Sequence, residues 1–233
     1  MNLKKIFEMS YLLIFLVFML ISWLIGARLK SKFREYSRIP VNYGMSGAEV
    51  ATKMLQDNGI TDVRVMSVPG ELSDHYNPQT KTVNLSHDVY HGRSVSAAAV
   101  AAHECGHAVQ HAEAYAWLKM RSQLVPVVSF ASKWVQWVLL AGILLVTTFP
   151  ALLLAGIVLF ALTTLFSFIT LPVEIDASQR ATRWLDGSGI TSVATLPKAK
   201  EALRLAAYTY VVAALASLAT LMYYIMIFLG SRD

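Results

Sequence analysis

The residues best equipped for chemistry in this chain fall together in one five-residue string, HECGH: His103, Glu104 and His107. The string lies inside an Ala-rich stretch, residues 95–115, whose composition predicts one helix, since Ala is the best helix former and only Gly106 disfavours it. On a helix, residues four apart leave from the same face, so both imidazoles can hold one tetrahedral ion. Glu104 leaves from a neighbouring sector, where a carboxylate reaches water beside the ion without becoming a ligand. Zinc held by three protein groups lowers the pKa of its water to about 7, and an adjacent carboxylate can take that proton and pass it to a leaving amine. The chemistry predicted is amide hydrolysis.

The plain alternative is two histidines on a solvated helix face. The surrounding positions argue against it: residues 97–102, Gly106 and Ala108 are nearly all small, which predicts a packed helix. Histidines packed beside a glutamate call for a cation. His111 extends the row to HExxHxxxH, but it stands about 12 Å along the axis from His103 at 1.5 Å per residue. It is expected beside the site or on the surface, not on the ion. Cys105 is the one cysteine, so there is no disulfide framework, and a catalytic thiol is disfavoured because its neighbours already form a hydrolytic set.

These residues must be positioned by a chain with an unusual composition. Of its 233 residues, 55% are hydrophobic and only 15% charged, whereas charged residues make up about a quarter of a soluble protein. This predicts a polytopic helical membrane protein, a partner of the lipid bilayer. The net charge of +5 does not indicate nucleic acid, because the basic residues flank apolar segments and are not interleaved with aromatics on a soluble face. Four crossings are expected, at about residues 9–27, 134–149, 151–171 and 206–229. The first is read as a retained anchor, being long for a signal-peptide core and followed at once by Arg28. No charged residue occurs from Trp134 to Val173, and Phe149-Pro150 supplies the turn of a hairpin. Small residues such as Gly142, Ala155 and Gly156 are expected to pack these helices. Arg28, Lys30, Lys32, Arg34 and Arg38 follow the first crossing, and Arg180, Arg183, Lys198, Lys200 and Arg204 precede the last. With four crossings, every basic residue except Lys4, Lys5 and Arg232 falls on one side, which the positive-inside rule makes cytoplasmic. Both termini are then expected outside, in a multi-pass protein of the cell membrane.

The rest, about residues 39–124 plus 172–205, is expected to form a small α+β cytoplasmic portion, so that the whole chain makes a single membrane domain. Ser46 and Glu49 form a capping box for a helix ending at Asn58-Gly59. Residues 62–68 and 81–85 are rich in β-branched side chains and read as strands, with PGELSDHYNPQT as a turn-bearing loop between them. A sheet edge there either pairs with an extended peptide or is ordinary scaffold. His75, His87 and His91 stand in polar surroundings that suit solvent-exposed or hydrogen-bonded histidines. Ser94 caps the motif helix. MRSQLVPVVSFAS is expected to lie at the interface, broken by Pro126.

Two histidines leave a hydrolytic zinc one protein ligand short. The hairpin returns the chain to the side of His103, and the first acids it meets are Glu174 and Asp176. Glu174 is the expected third ligand: Ser178 and Ala181 share its helical face, whereas Asp176 points roughly 200° away. Asp176 is the alternative.

Three blocks, LSDHYNPQTKTVNLS, VYHGRSVSAAAVAAHECGHAVQHAEAYAWLKMRSQLVPV and PVEIDASQRA, occur in that order with membrane segments around them. In this the chain resembles the YugP-like membrane zinc metallopeptidases of bacteria, over most of its length. The resemblance implies a zincin-like fold and a zinc endopeptidase with His103 and His107 as ligands, Glu104 as base and an acid of PVEIDAS as the third ligand. A more distant likeness is to the HtpX and CAAX-processing membrane peptidases, which follow HExxH with E-x-x-x-D. Setting Glu174 on that Glu puts Ser178 at the Asp position, a departure from the pattern.

The expected function is thus a membrane-embedded endopeptidase that takes protein or peptide substrates at or near the membrane and uses Zn2+, His103, His107 and Glu174, with Glu104 as general base and acid. Tyr90, His75 and Arg180 are candidates for steadying the oxyanion. A reading of a different class is a non-catalytic membrane adaptor with a structural zinc, closed by a fourth ligand such as Asp176 or His75. Metal transport is disfavoured, since the crossings from Trp134 to Val173 and from Ala206 carry no ionisable side chain beyond tyrosine.

Overall fold

The computed structural model describes the backbone of residues 3–231 and the side chains of residues 12–231. The flanking charges Lys4, Lys5, Arg232 and Asp233 fall outside the described side chains. The chain is mainly helical: α1 (Leu3–Tyr36), α2 (Gly47–Asp57), α3 (His87–His91), α4 (Val95–Ala112), α5 (Ala116–Leu144), α6 (Pro150–Gly187) and α7 (Leu196–Gly230), with strands β1 (Arg64–Val68), β2 (His75–Asn77) and β3 (Thr82–Ser86) between α2 and α3. Among the described residues, four helices are long and apolar enough to cross a membrane: α1, α5, α6 and α7. The chain forms two compact units, one of residues 1–24, 120–171 and 209–233, the other of residues 25–119 and 172–208.

The first unit holds the apolar runs. Large hydrophobic side chains such as Trp134, Trp137, Leu144 and Leu154 are exposed on it, a surface suited to lipid rather than water. Its helices approach through glycine. A Cβ on Gly142 would come 2.6 Å from the Leu153 Cα, and one on Gly156 would come 2.8 Å from a Leu139 methyl. Ala155, expected to pack beside them, is instead exposed. The interface break expected at Pro126 does not occur: α5 runs unbroken through it. In an apolar surrounding, unpaired carbonyls cost more than one missing helical bond, so the helix continues. The hairpin turn falls where expected, with α5 ending at Leu144 and Pro150 opening α6, a position where its missing N–H is no loss.

The second unit holds the motif. Ser46 and Glu49 close the capping box of α2, the Glu49 amide donating to Ser46 Oγ and the Ser46 amide to Glu49 Oε2. Val50, Ala51, Met54 and Leu55 then line one face of α2 and are buried. They pack in one core with the alanines of α4, Val83 and Leu85 of β3, Ala181 and Leu185 of α6, and Ala199 and Ala202 of α7. The sheet order is β1-β3-β2, with β1 parallel and β2 antiparallel to the central β3. β2 lies within the stretch read from sequence as loop. With only three residues, it is too short to show an alternation that marks a strand.

Candidate metal centre

Helix α4 starts where Ser94 accepts from the Ala97 amide and is buried over most of its length, Glu104 and His107 included. Small side chains let neighbouring helices approach it closely. At Gly106 the approach leaves no room for a side chain: a Cβ there would lie 2.6 Å from the Ala177 carbonyl oxygen of α6. This contact sets the segment after Pro172 against the motif.

The consequence is a cluster of three. The His103 and His107 rings are 4.8 Å apart between centroids. Glu174 Oε2 lies 3.3 Å from His103 Nε2 and 3.7 Å from His107 Nε2, and one ligand atom from each residue falls within 4.8 Å of the others. Two imidazoles and a carboxylate are the donor set of a three-ligand zinc site with an open position. The electrostatics suit a cation. Burial works against a charged His107, but hydrogen bonding to Glu174 and the negative charge of Glu104 and Glu174 outweigh it, so its pKa is raised. A buried pocket that favours an imidazolium favours a metal ion for the same reason. The residues therefore fit the group.

Glu104 stands outside the ligand cluster, as expected from its helical sector. Its Oε2 accepts from the Tyr76 amide of β2 at 3.0 Å. Ser178 Oγ lies 3.1 Å from His103 Nδ1. His107 Nδ1 lies 3.0 Å from Gln110 Oε1. Sequence reading passed over Gln110 and Tyr76. The three-residue spacing from His107 to Gln110 would have flagged the first, while nothing local flags an amide from a distant strand.

The other expected residues are placed away from the cluster. Asp176 accepts from Gln110 Nε2 at 2.8 Å and from Arg180 Nε at 2.6 Å. Arg180 also donates to Glu113. His75 bonds to the Ser73 carbonyl and to Asn84, and His111 Nδ1 lies 2.8 Å from the Tyr76 hydroxyl. The His87 and His91 rings of α3 lie 4.7 Å apart and tilted to each other, and Tyr90 sits against His91 while packing on the core. Cys105 is fully enclosed, and burial pushes its thiol pKa up, which leaves it unreactive.

Residues 11–229 match the family described as Putative neutral zinc metallopeptidase. The chain is 44% identical over 206 residues to the Putative membrane protease YugP of Bacillus subtilis (strain 168), a match that covers 88% of this chain and 91% of that protein. No solved structure matches. Since the family match runs over nearly the whole length, and a zinc-type donor set stands on α4 and α6, the chain belongs to the family described as Putative neutral zinc metallopeptidase.

Proposed function

We propose that this protein is a membrane-embedded zinc endopeptidase that cleaves membrane or membrane-proximal proteins on the cytoplasmic side, with His103, His107 and Glu174 as zinc ligands and Glu104 as general base and acid. The observation that carries the reading is a buried Glu104 left out of the ligand set yet one residue from His103 on the same helix. Zinc held by the three ligands supplies a Lewis acid that polarises a peptide carbonyl and acidifies water. Glu104 takes the proton of the attacking water as the C–O bond forms, then delivers it to the amide nitrogen as the C–N bond breaks. Glu174, whose Oε2 lies beside both imidazoles, would balance the positive charge of the centre.

β2 is an edge strand, paired with β3 on one side only among the described residues. Because the Tyr76 amide points at Glu104 rather than into the β3 ladder, the open edge of β2 faces the base. An extended substrate adding to that edge would place its main chain beside Glu104. The adaptor reading lacks support, since Asp176 and His75, its candidate fourth ligands, are engaged elsewhere.

Glu104→Gln tests the proposal in detergent-purified protein. It keeps the shape and the hydrogen bond from Tyr76 but cannot take a proton. Zinc content should stay at one per chain while cleavage of a denatured protein substrate falls at least 100-fold, by the usual worth of a general base. A variant that still cleaves at the wild-type rate would sink the mechanism.

A further inference from the structure

We infer that Gln110 is a positioning residue that fixes the tautomer of His107 and couples it to the chain segment carrying Glu174, through a hydrogen-bond relay that runs from Arg180 to Asp176 to Gln110 to His107. The inference rests on the zinc reading of the same centre.

The relay has only one direction. Arg180 is a donor and nothing else, and its Nε donates to Asp176 Oδ2 at 2.6 Å. An ion-paired carboxylate accepts only, so the Gln110 atom 2.8 Å from the same Oδ2 must be the amide nitrogen. The Val173 carbonyl, 2.8 Å from that atom, requires the same assignment. Two independent acceptors thus exclude the flipped amide. Oε1 is left facing His107 Nδ1 at 3.0 Å, and a carbonyl oxygen can only accept. In the neutral ring that a metal requires, His107 Nδ1 therefore carries the proton, and the lone pair of Nε2 faces the metal locus. Gln110 is fully enclosed, so water cannot substitute for it or reverse the order.

The same amide grips the backbone beside the third ligand, because Val173 immediately precedes Glu174. One side chain thus ties α4, which supplies both histidines, to the α6 segment that supplies the carboxylate. His103 lacks such a lock: its Nδ1 partner is the Ser178 hydroxyl, a rotor that can donate or accept. The two histidine ligands, alike in sequence, are held to different degrees.

Two variants test the donor and acceptor order rather than packing. Gln110→Met keeps the volume and removes both functions. Gln110→Glu keeps the shape and the oxygen that faces His107 but puts an oxygen against both the Asp176 carboxylate and the Val173 carbonyl. Zinc dissociation constants are measured by chelator competition on purified protein, with melting temperature as the check on folding. Both variants should bind zinc at least tenfold more weakly, in line with other residues that orient metal ligands. A side chain that merely fills space predicts wild-type affinity in a folded Gln110→Met variant, and that result would overturn the inference. Nitrogen-15 NMR of zinc-loaded, histidine-labelled wild type gives a readout independent of any variant: His107 should be protonated at Nδ1, and protonation at Nε2 would overturn the relay. Wild type that takes up no zinc would instead remove the peptidase reading, and this inference with it. Zinc bound equally well by wild type and both variants would remove the relay alone.

Discussion

Gly106→Ala isolates the contact on which the centre is built. The added Cβ would stand 2.6 Å from the Ala177 carbonyl oxygen and 3.1 Å from its carbonyl carbon and Cα. All three are backbone atoms, so no side chain can swing away. Ordinary contact begins at 3.4 Å, so α4 and the α6 segment must part by about 0.8 Å at this point. Overpacking of this kind costs about 1–3 kcal/mol, while Ala in place of Gly in a helix interior returns about 1 kcal/mol. The net loss of stability is about 0–2 kcal/mol, which a folded protein survives. The metal centre tolerates less. Glu174 lies 3.3 Å and 3.7 Å from the two imidazole nitrogens and follows the backbone of Ala177 one turn away, whereas metal–ligand distances hold to about ±0.2 Å. Zinc affinity should therefore fall at least tenfold, about 1.4 kcal/mol, with the melting temperature of the zinc-free protein lowered by only a few degrees. Chelator competition and a thermal melt in detergent measure the two quantities on one preparation. Wild-type zinc affinity in this variant would refute the claim that the Gly106–Ala177 contact sets the site.

Further outcomes follow from other parts of the structure. Glu174→Ala should abolish stoichiometric zinc uptake, whereas His111→Ala should leave affinity within about twofold, because His111 is paired with Tyr76 outside the ligand cluster; elemental analysis of both variants checks this. Ser46→Ala removes the acceptor for the Glu49 amide and should cost about 1 kcal/mol, lowering the melting temperature by about 2–4 °C with no change in zinc affinity. The raised pKa of His107 in the zinc-free protein gives a pH signature. Its contribution to stability is complete below the ordinary imidazole value and is lost as pH rises through the raised value, so the melting temperature of zinc-free protein should fall across that window. Zinc requires the neutral ring, so binding in the same window should release a proton. Calorimetric titrations in two buffers of different ionisation enthalpy would show this, and equal apparent enthalpies would contradict it.

The sequence by itself determined the parts of this protein that depend on a short stretch of chain. Helical pitch alone places His103 beside His107 and turns Glu104 aside. The Ser46 and Glu49 cap, the Ser94 cap and the hairpin turn at Pro150 are equally local, and each stands where the residues put it. The four apolar helices follow from composition, since no other regular backbone pairs its own polar groups within one segment in lipid. Tertiary structure decided what lies between segments. Glu174 is 71 residues from His103, and whether it or Asp176 meets the imidazoles depends on how α6 is rotated against α4. That rotation is set by the Gly106–Ala177 contact and by the Gln110 amide. The β2 strand, the Tyr76 amide on Glu104 and the passage of α5 through Pro126 belong to the same class. Each is fixed by a partner far away in sequence, so no local pattern of residues encodes it.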